Sequence, residues 1–148
     1  MKVIARNKKA RHDYEILDTF EAGIVLKGTE IKSIRQGKTN IKDSYCIVRN
    51  SELYVVNMHI SHYKEVNQFN HDETRSRKLL MHKKEIIKLE SKVNQDSVSI
   101  IPLEIYLEKG LCKLKIALAK GKRQYDKRQA LKAKQDQRNI QKALKERY

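Results

Sequence analysis

Residues 14–28, "YEILDTFEAGIVLKG", alternate polar and apolar side chains and then turn apolar. A period of two predicts one or two strands, and Gly23 inside the run predicts a bend or bulge there. The period changes over "GTEIKSIRQG" (28–37), where Ile31 and Ile34 share a helical face. Thr29 can cap that helix and Gly37 can close it. "DSYCIV" (43–48) and "ELYVVNMHI" (52–60) read as strands on either side of the short "RNS" turn. "NQFNHDETRSR" (67–77) is polar and predicts an exposed loop. In "RKLLMHKKEIIKLESKV" (77–93), Leu79, Ile86, Leu89 and Val93 recur at helical spacing, which predicts a helix over the whole stretch. "SVSIIPLEIYL" (97–107) and "LCKLKIALA" (111–119) flank Glu108-Lys109-Gly110, a hairpin signal. In the last strand Cys112, Leu114, Ile116 and Leu118 face the core. Lys113, Lys115, Ala117 and Ala119 face the other way, so two ammonium groups stand in line on the outer face.

About six short antiparallel strands with two helices, in roughly 110 residues, fit a small barrel of the oligonucleotide-binding (OB) kind. The expected fold is therefore mainly β: a six-stranded antiparallel barrel with short flanking helices and a basic C-terminal tail. Residues 1–120 form the barrel with a basic N-terminal arm, and residues 121–148 form the tail.

Charge changes the picture by its location. The chain of 148 residues carries +15, with 34% charged residues. Residues 1–11 hold five basic side chains and no acid, and residues 120–148 hold eleven basic and three acidic ones. The remaining middle is nearly neutral. Two cationic ends on a neutral body attract polyanions, with nucleic acid the first candidate and an anionic membrane surface the second. The tail lacks the large apolar groups that a membrane-surface helix needs. No signal peptide or membrane span is visible, and two cysteines, Cys46 and Cys112, make no disulfide framework. The expected location is the cytoplasm.

The tail is too polar to bury much surface, so it is expected to be disordered when free. Its Ala, Leu, Lys, Gln and Arg content nonetheless favours a helix once a polyanion neutralises the charge. Within "GKRQYDKR" (121–128), basic side chains offer phosphate contacts and Tyr125 offers a ring that stacks on an unpaired base. Asp126 fits a specific contact or a helix start better than electrostatic attraction. Catalytic chemistry finds little support. His59 and His62 are three apart near a strand and project to opposite faces, which disfavours a metal site. Asp13 and Glu15 share a strand face without a buried setting. No phosphate loop or activated nucleophile is present. Neither an enzyme nor a cofactor is expected.

Five blocks then carry a resemblance. "NKKARHDY" (7–14), "FEAGIVLKGTEIKSIRQGK" (20–38), "DSY" (43–45), "RKLLMHKKEI" (77–86) and "AKGKRQYDKR" (119–128) occur in order and cover essentially the whole chain. Together they closely resemble the SmpB family of bacterial proteins that bind transfer-messenger RNA (tmRNA, SsrA). The resemblance implies an OB-like barrel that binds the tRNA-like domain of tmRNA. It implies delivery to ribosomes stalled on a message without a stop codon. The tail then folds in the message channel near the decoding centre of the small-subunit RNA, and trans-translation tags the incomplete polypeptide for degradation. The implied RNA-facing residues are Asn7, Lys8, Lys9, Arg11, Tyr14, Glu21, Leu80 and Lys113; Leu80 would read as core from its pattern alone. The implied ribosome-facing residues are Gly121, Lys122, Tyr125, Asp126, Lys127 and Arg128. Glu73 stands where many relatives have proline, Met81 where leucine is usual, and the basic extension before "NKKARH" is short. A monomeric RNA-binding adaptor is the leading reading. A structural protein of the ribosome and an RNA-processing enzyme are the alternatives.

Overall fold

A computed structural model of the chain describes residues 1–64, 70–95 and 97–121. Among the described residues nine strands and three helices follow in chain order: β1 (Lys2–Arg6), α1 (Lys8–Asp13), β2 (Tyr14–Ile24), α2 (Gly28–Arg35), β3 (Thr39–Asn40), β4 (Tyr45–Arg49), β5 (Glu52–Val56), β6 (His59–Ile60), β7 (Arg77–Leu80), α3 (Lys83–Gln95), β8 (Ser99–Glu108) and β9 (Leu111–Gly121). The main sheet runs β1-β8-β4-β5-β7-β2-β9, and β9 pairs back onto β8. Strands β8, β4, β5, β7, β2 and β9 thus close a ring of six antiparallel strands, the expected OB-like architecture. Strand β1 adds to the outer part of β8, and β3 with β6 forms a separate two-stranded sheet.

Two tight turns set the hairpin registers. Asn50 and Ser51 both have positive φ, as do Lys109 and Gly110. Two consecutive left-handed residues make the turn whose twist matches a hairpin. The second turn places Glu108 opposite Leu111, and Tyr106 opposite Lys113. Inside the ring, Ile24, Leu53, Val55, Leu79, Ile105, Leu114 and Ile116 form the core with Ile86 and Leu89 of α3. Full burial of each such side chain contributes about 1.5–3 kcal/mol relative to exposure. A second, smaller cluster lies on the outer side of β8 and β9, where Ala10 of α1 covers Ile101, Leu103, Ala117 and Ala119.

Several expectations change. The outer face of β9 is solvated only in part, because α1 covers its two alanines. The basic arm is ordered as β1 and α1, giving three helices among the described residues instead of two. Asp13 ends α1, so it shares no strand face with Glu15. Strand β2 is continuous through Gly23, and its irregularity falls between Ile16 and Asp18. Asn57, at positive φ, splits the run 52–60 into β5 and β6. The stretch 77–93 also divides, because Arg77–Leu80 pairs with β5 and β2 before the helix begins. Helix α2 starts without help from Thr29: the Glu30 carboxylate accepts from the Lys27 N–H at 2.7 Å. Gly37, at φ +76°, closes it through bonds from the Gly37 and Lys38 N–H groups to Ile34 and Ser33.

The loop before β7 is not wholly exposed. Arg77 and Glu30 are fully buried together, with Arg77 Nε 2.6 Å from Glu30 Oε2. Arg75 Nη2 donates to Glu30 Oε1 at 2.7 Å. Arg77 also donates to the carbonyls of Met58, Asp72 and Glu73. Buried His71 bridges Thr29 Oγ1 and the Ile60 carbonyl at 2.8 Å each. This polar knot ties the loop to α2 and β6.

Candidate nucleic-acid interface

Three of the expected RNA-facing residues meet on the outer face of the ring. Within a strand pair, opposed side chains point to the same side. Gly23 of β2 is opposed by Leu80 on one flank and Lys113 on the other. A Cβ built at Gly23 would lie 3.4 Å from Leu80 Cβ, so Leu80 leans over the bare glycine. Glycine inside a strand weakens it and marks close approach of another group. Leu80 is 53% exposed while its neighbour Leu79 is 1% exposed. The alternation of a strand explains this. As part of a helix both leucines could be buried; as part of β7 they face opposite ways.

Glu21 is the next outward residue of β2. Its side chain is 52% exposed, yet both oxygens are held. Oε2 accepts from the Tyr106 hydroxyl and Oε1 from Lys113 Nζ at 3.1 Å. Lys113 Nζ also donates to Glu108 Oε1 at 3.3 Å. The Tyr106 hydrogen bond, then that of Lys113, holds the Glu21 carboxyl below its ordinary range. The bonds to Glu21 and Glu108 push the Lys113 ammonium up. Burial, followed by the contact with Glu21, pushes the Tyr106 phenol up. The face therefore carries an ionised, oriented carboxylate paired with a cation that it shares with Glu108, on the same side as an exposed leucine. Tyr106 was missed in the sequence, although counting back from the Lys109-Gly110 turn places it opposite Lys113.

A second group gathers around α1. Lys8, Lys9 and Arg11 are exposed on it, with Ala10 turned into the smaller cluster. Asn7, which the resemblance placed in the RNA-facing set, does not project outward with them. It is buried: its amide donates to the carbonyls of Ile41 and Pro102 at 3.2 and 3.1 Å. Its Oδ1 caps α1 by accepting from the Ala10 N–H at 3.1 Å. Asn7 thus positions the basic helix. Tyr14 is half-buried against the same cluster and pairs with Gly121, the last residue of β9. Asn7, Lys9 and Tyr14 also share the wall of a cleft of about 620 Å³ that reaches β4 and α3. Lys122, Tyr125, Asp126, Lys127 and Arg128 lie outside the described residues.

Among the described residues no group of three or more His, Cys, Asp or Glu side chains is placed to hold a metal ion. None of their helices is long and apolar enough to cross a membrane.

The family profile described as "SmpB protein" matches residues 4–146. The chain belongs to the SmpB family. It is 59% identical over 145 residues to an SsrA-binding protein of Staphylococcus carnosus (strain TM300), covering 98% of this chain and 93% of the relative. It is 58% identical over 145 residues to an SsrA-binding protein of Staphylococcus aureus (strain Newman), covering 98% and 94%. A solved chain described under "tmRNA-SmpB: a journey to the center of the bacterial ribosome" matches with a TM-score of 0.69 and 46% identity, over 82% of this chain and 85% of that one.

Proposed function

We propose that the chain binds the tRNA-like domain of tmRNA and delivers it to stalled ribosomes, where trans-translation rescues the ribosome and tags the incomplete polypeptide for degradation. The observation that carries this reading is the family match over nearly the whole chain to SsrA-binding proteins. The protein acts as a cytoplasmic, monomeric adaptor without catalytic chemistry of its own. Glu21, Leu80 and Lys113 contact the RNA fold through shape, stacking and base edges. Lys8, Lys9 and Arg11 on α1 add phosphate contacts, whose share of the affinity falls with salt. Asn7 and Tyr14 support this helix. Residues 121–148 form a second functional unit: Gly121 roots the tail, and Lys122, Tyr125, Asp126, Lys127 and Arg128 engage small-subunit RNA at the decoding centre and message channel. The solved relative, described with tmRNA and the bacterial ribosome, supports both partners.

The test is a titration of the full-length protein with the tRNA-like domain and with a length-matched RNA duplex, at physiological and raised salt. A preference for the tRNA-like domain that survives added salt is the expected result. Equal affinities that fall together with salt would reduce the interaction to the +15 charge.

A further inference from the structure

Resting on the reading that Glu21 faces the RNA, we infer that its carboxylate reads the two adjacent N–H donors on the edge of an unpaired guanine, and that Tyr106 is the residue that positions it. The inference starts from acceptor geometry. An ionised carboxylate has about four acceptor directions and no donor. At Glu21 one direction on each oxygen is used from within the sheet, Oε2 by Tyr106 and Oε1 by Lys113. Both oxygens therefore keep an acceptor direction for a ligand, at a side chain half open to solvent.

Two parallel acceptors require two parallel donors. Among the bases, only guanine presents N1–H and N2–H side by side on its Watson–Crick edge. Adenine and cytosine set a donor beside an acceptor, and uracil sets one donor between two acceptors. RNA is read on such edges where bases are unpaired and splayed from a loop. Charge supports the pairing. A bare carboxylate would repel phosphates, and the Lys113 ammonium, shared with Glu108, offsets part of that field while leaving the lone pairs in place. Leu80, half exposed and packed over Gly23 on the same face, offers an apolar ledge for the face of the base.

Tyr106 makes the arrangement persist. Glu side chains on an exposed strand are free to rotate, but a buried phenol, fixed by its place in β8, holds Oε2 from below. Its hydrogen bond also favours the ionised form that a double acceptor must have. Tyr106→Phe keeps the ring and removes only the hydroxyl.

The experiment measures affinities of wild type, Tyr106→Phe, Glu21→Gln and the double variant for the tRNA-like domain, with melting temperatures as the fold control. In parallel, kethoxal, which adds across N1 and N2 of unpaired guanines, probes the RNA in each complex. The wild type is expected to protect at least one reactive guanine, Glu21→Gln to lose that protection and Tyr106→Phe to weaken it. Glu21→Gln should weaken binding roughly 5- to 150-fold, the scale of one bidentate base contact. Tyr106→Phe should weaken it about 2- to 12-fold, the scale of one hydrogen bond, and add nothing further in the Glu21→Gln background. An equal loss in both backgrounds would remove Tyr106 from the Glu21 contact. Wild-type binding that prefers the tRNA-like domain but protects no guanine would overturn the base assignment and leave the RNA-binding reading standing. Absence of that preference would instead overturn the reading itself.

Discussion

Replacing Glu30 with alanine should be among the most damaging single changes outside the apolar core. The side chain is fully buried and accepts from Arg77 Nε at 2.6 Å, from Arg75 Nη2 at 2.7 Å and Nε at 3.3 Å, and from the Lys27 N–H at 2.7 Å. Arg77 is equally buried and keeps only neutral carbonyl partners once the carboxylate is gone. Removing one member of a buried ion pair costs about 3–5 kcal/mol, because the other charge stays behind. For a domain of this size that corresponds to a fall in melting temperature on the order of 10–20 °C. Circular dichroism melts and urea titrations would measure it. A melting temperature within about 3 °C of wild type would refute the reasoning. An apolar replacement of both partners, often harmless for a simple buried pair, should fail here. It would orphan the three carbonyls that Arg77 now satisfies. Acid gives the same test without mutation. Burial pushes the Glu30 carboxyl up, but the bonds from Arg75, the Lys27 N–H and Arg77 outweigh it and hold it below its ordinary 4.5. A group depressed on folding stabilises above its unfolded value and loses that contribution as pH falls through its folded value. Wild type should therefore lose stability below about pH 4.5, and Glu30→Gln should flatten that part of the profile.

Other substitutions separate support from contact. Asn7→Ala removes two donated bonds and the α1 cap, and should cost roughly 1–3 kcal/mol of stability in urea unfolding; an unchanged midpoint would mean that these bonds do not hold the arm. Leu80→Ala should leave stability within about 0.5 kcal/mol while weakening binding to the tRNA-like domain. Leu79→Ala should cost about 2–5 kcal/mol, and the opposite order in a pair of melts would mean that β7 is misassigned. Because β9 pairs with β2 through Gly121, truncation belongs after Gly121. The shortened protein should retain the preference for the tRNA-like domain with a shallower salt dependence, and should fail to tag in a reconstituted system; loss of that preference would contradict the division between barrel and tail.

What was legible in the sequence is what short-range periodicity decides. The hairpin of β8 and β9, the β4–β5 pair and the closure of α2 at Gly37 each depend on neighbours a few residues apart. The misread elements depend on distant partners. Leu79 and Leu80 fit a helix or a strand equally well, and pairing with β5 and β2 decides for the strand. Asn7 looks like one more polar residue in a basic arm until Pro102, 95 residues away, supplies the carbonyl that its amide reaches. Glu30 and Arg77 are 47 residues apart, and Tyr106 and Glu21 are 85 apart. In the interface, Glu21, Leu80 and Lys113 entered through the family resemblance; only Lys113 was also visible as an outward strand residue.

Strand β9 links these observations to function. Lys113 stands near its start and Gly121 at its end, eight residues on. At about 3.3 Å per residue the strand sets them roughly 26 Å apart. It pairs with β2 from Lys113 to Gly121 and with β8 as far as Ala119, so the spacing is held by strand ladders and not by a linker. Helix α1 sits over the Gly121 end, against the alanines of the same outer face. On the proposed function, an RNA held at Glu21 and Lys113 is therefore kept at a fixed separation from Gly121, where the proposed tail is rooted. If the proposed division of labour holds, lengthening the connection after Gly121 should be tolerated better than any change that breaks the β2–β9 ladder. A linker changes only the effective concentration of the tail. A broken ladder would release the tail root and the Glu21 carboxylate from a common frame.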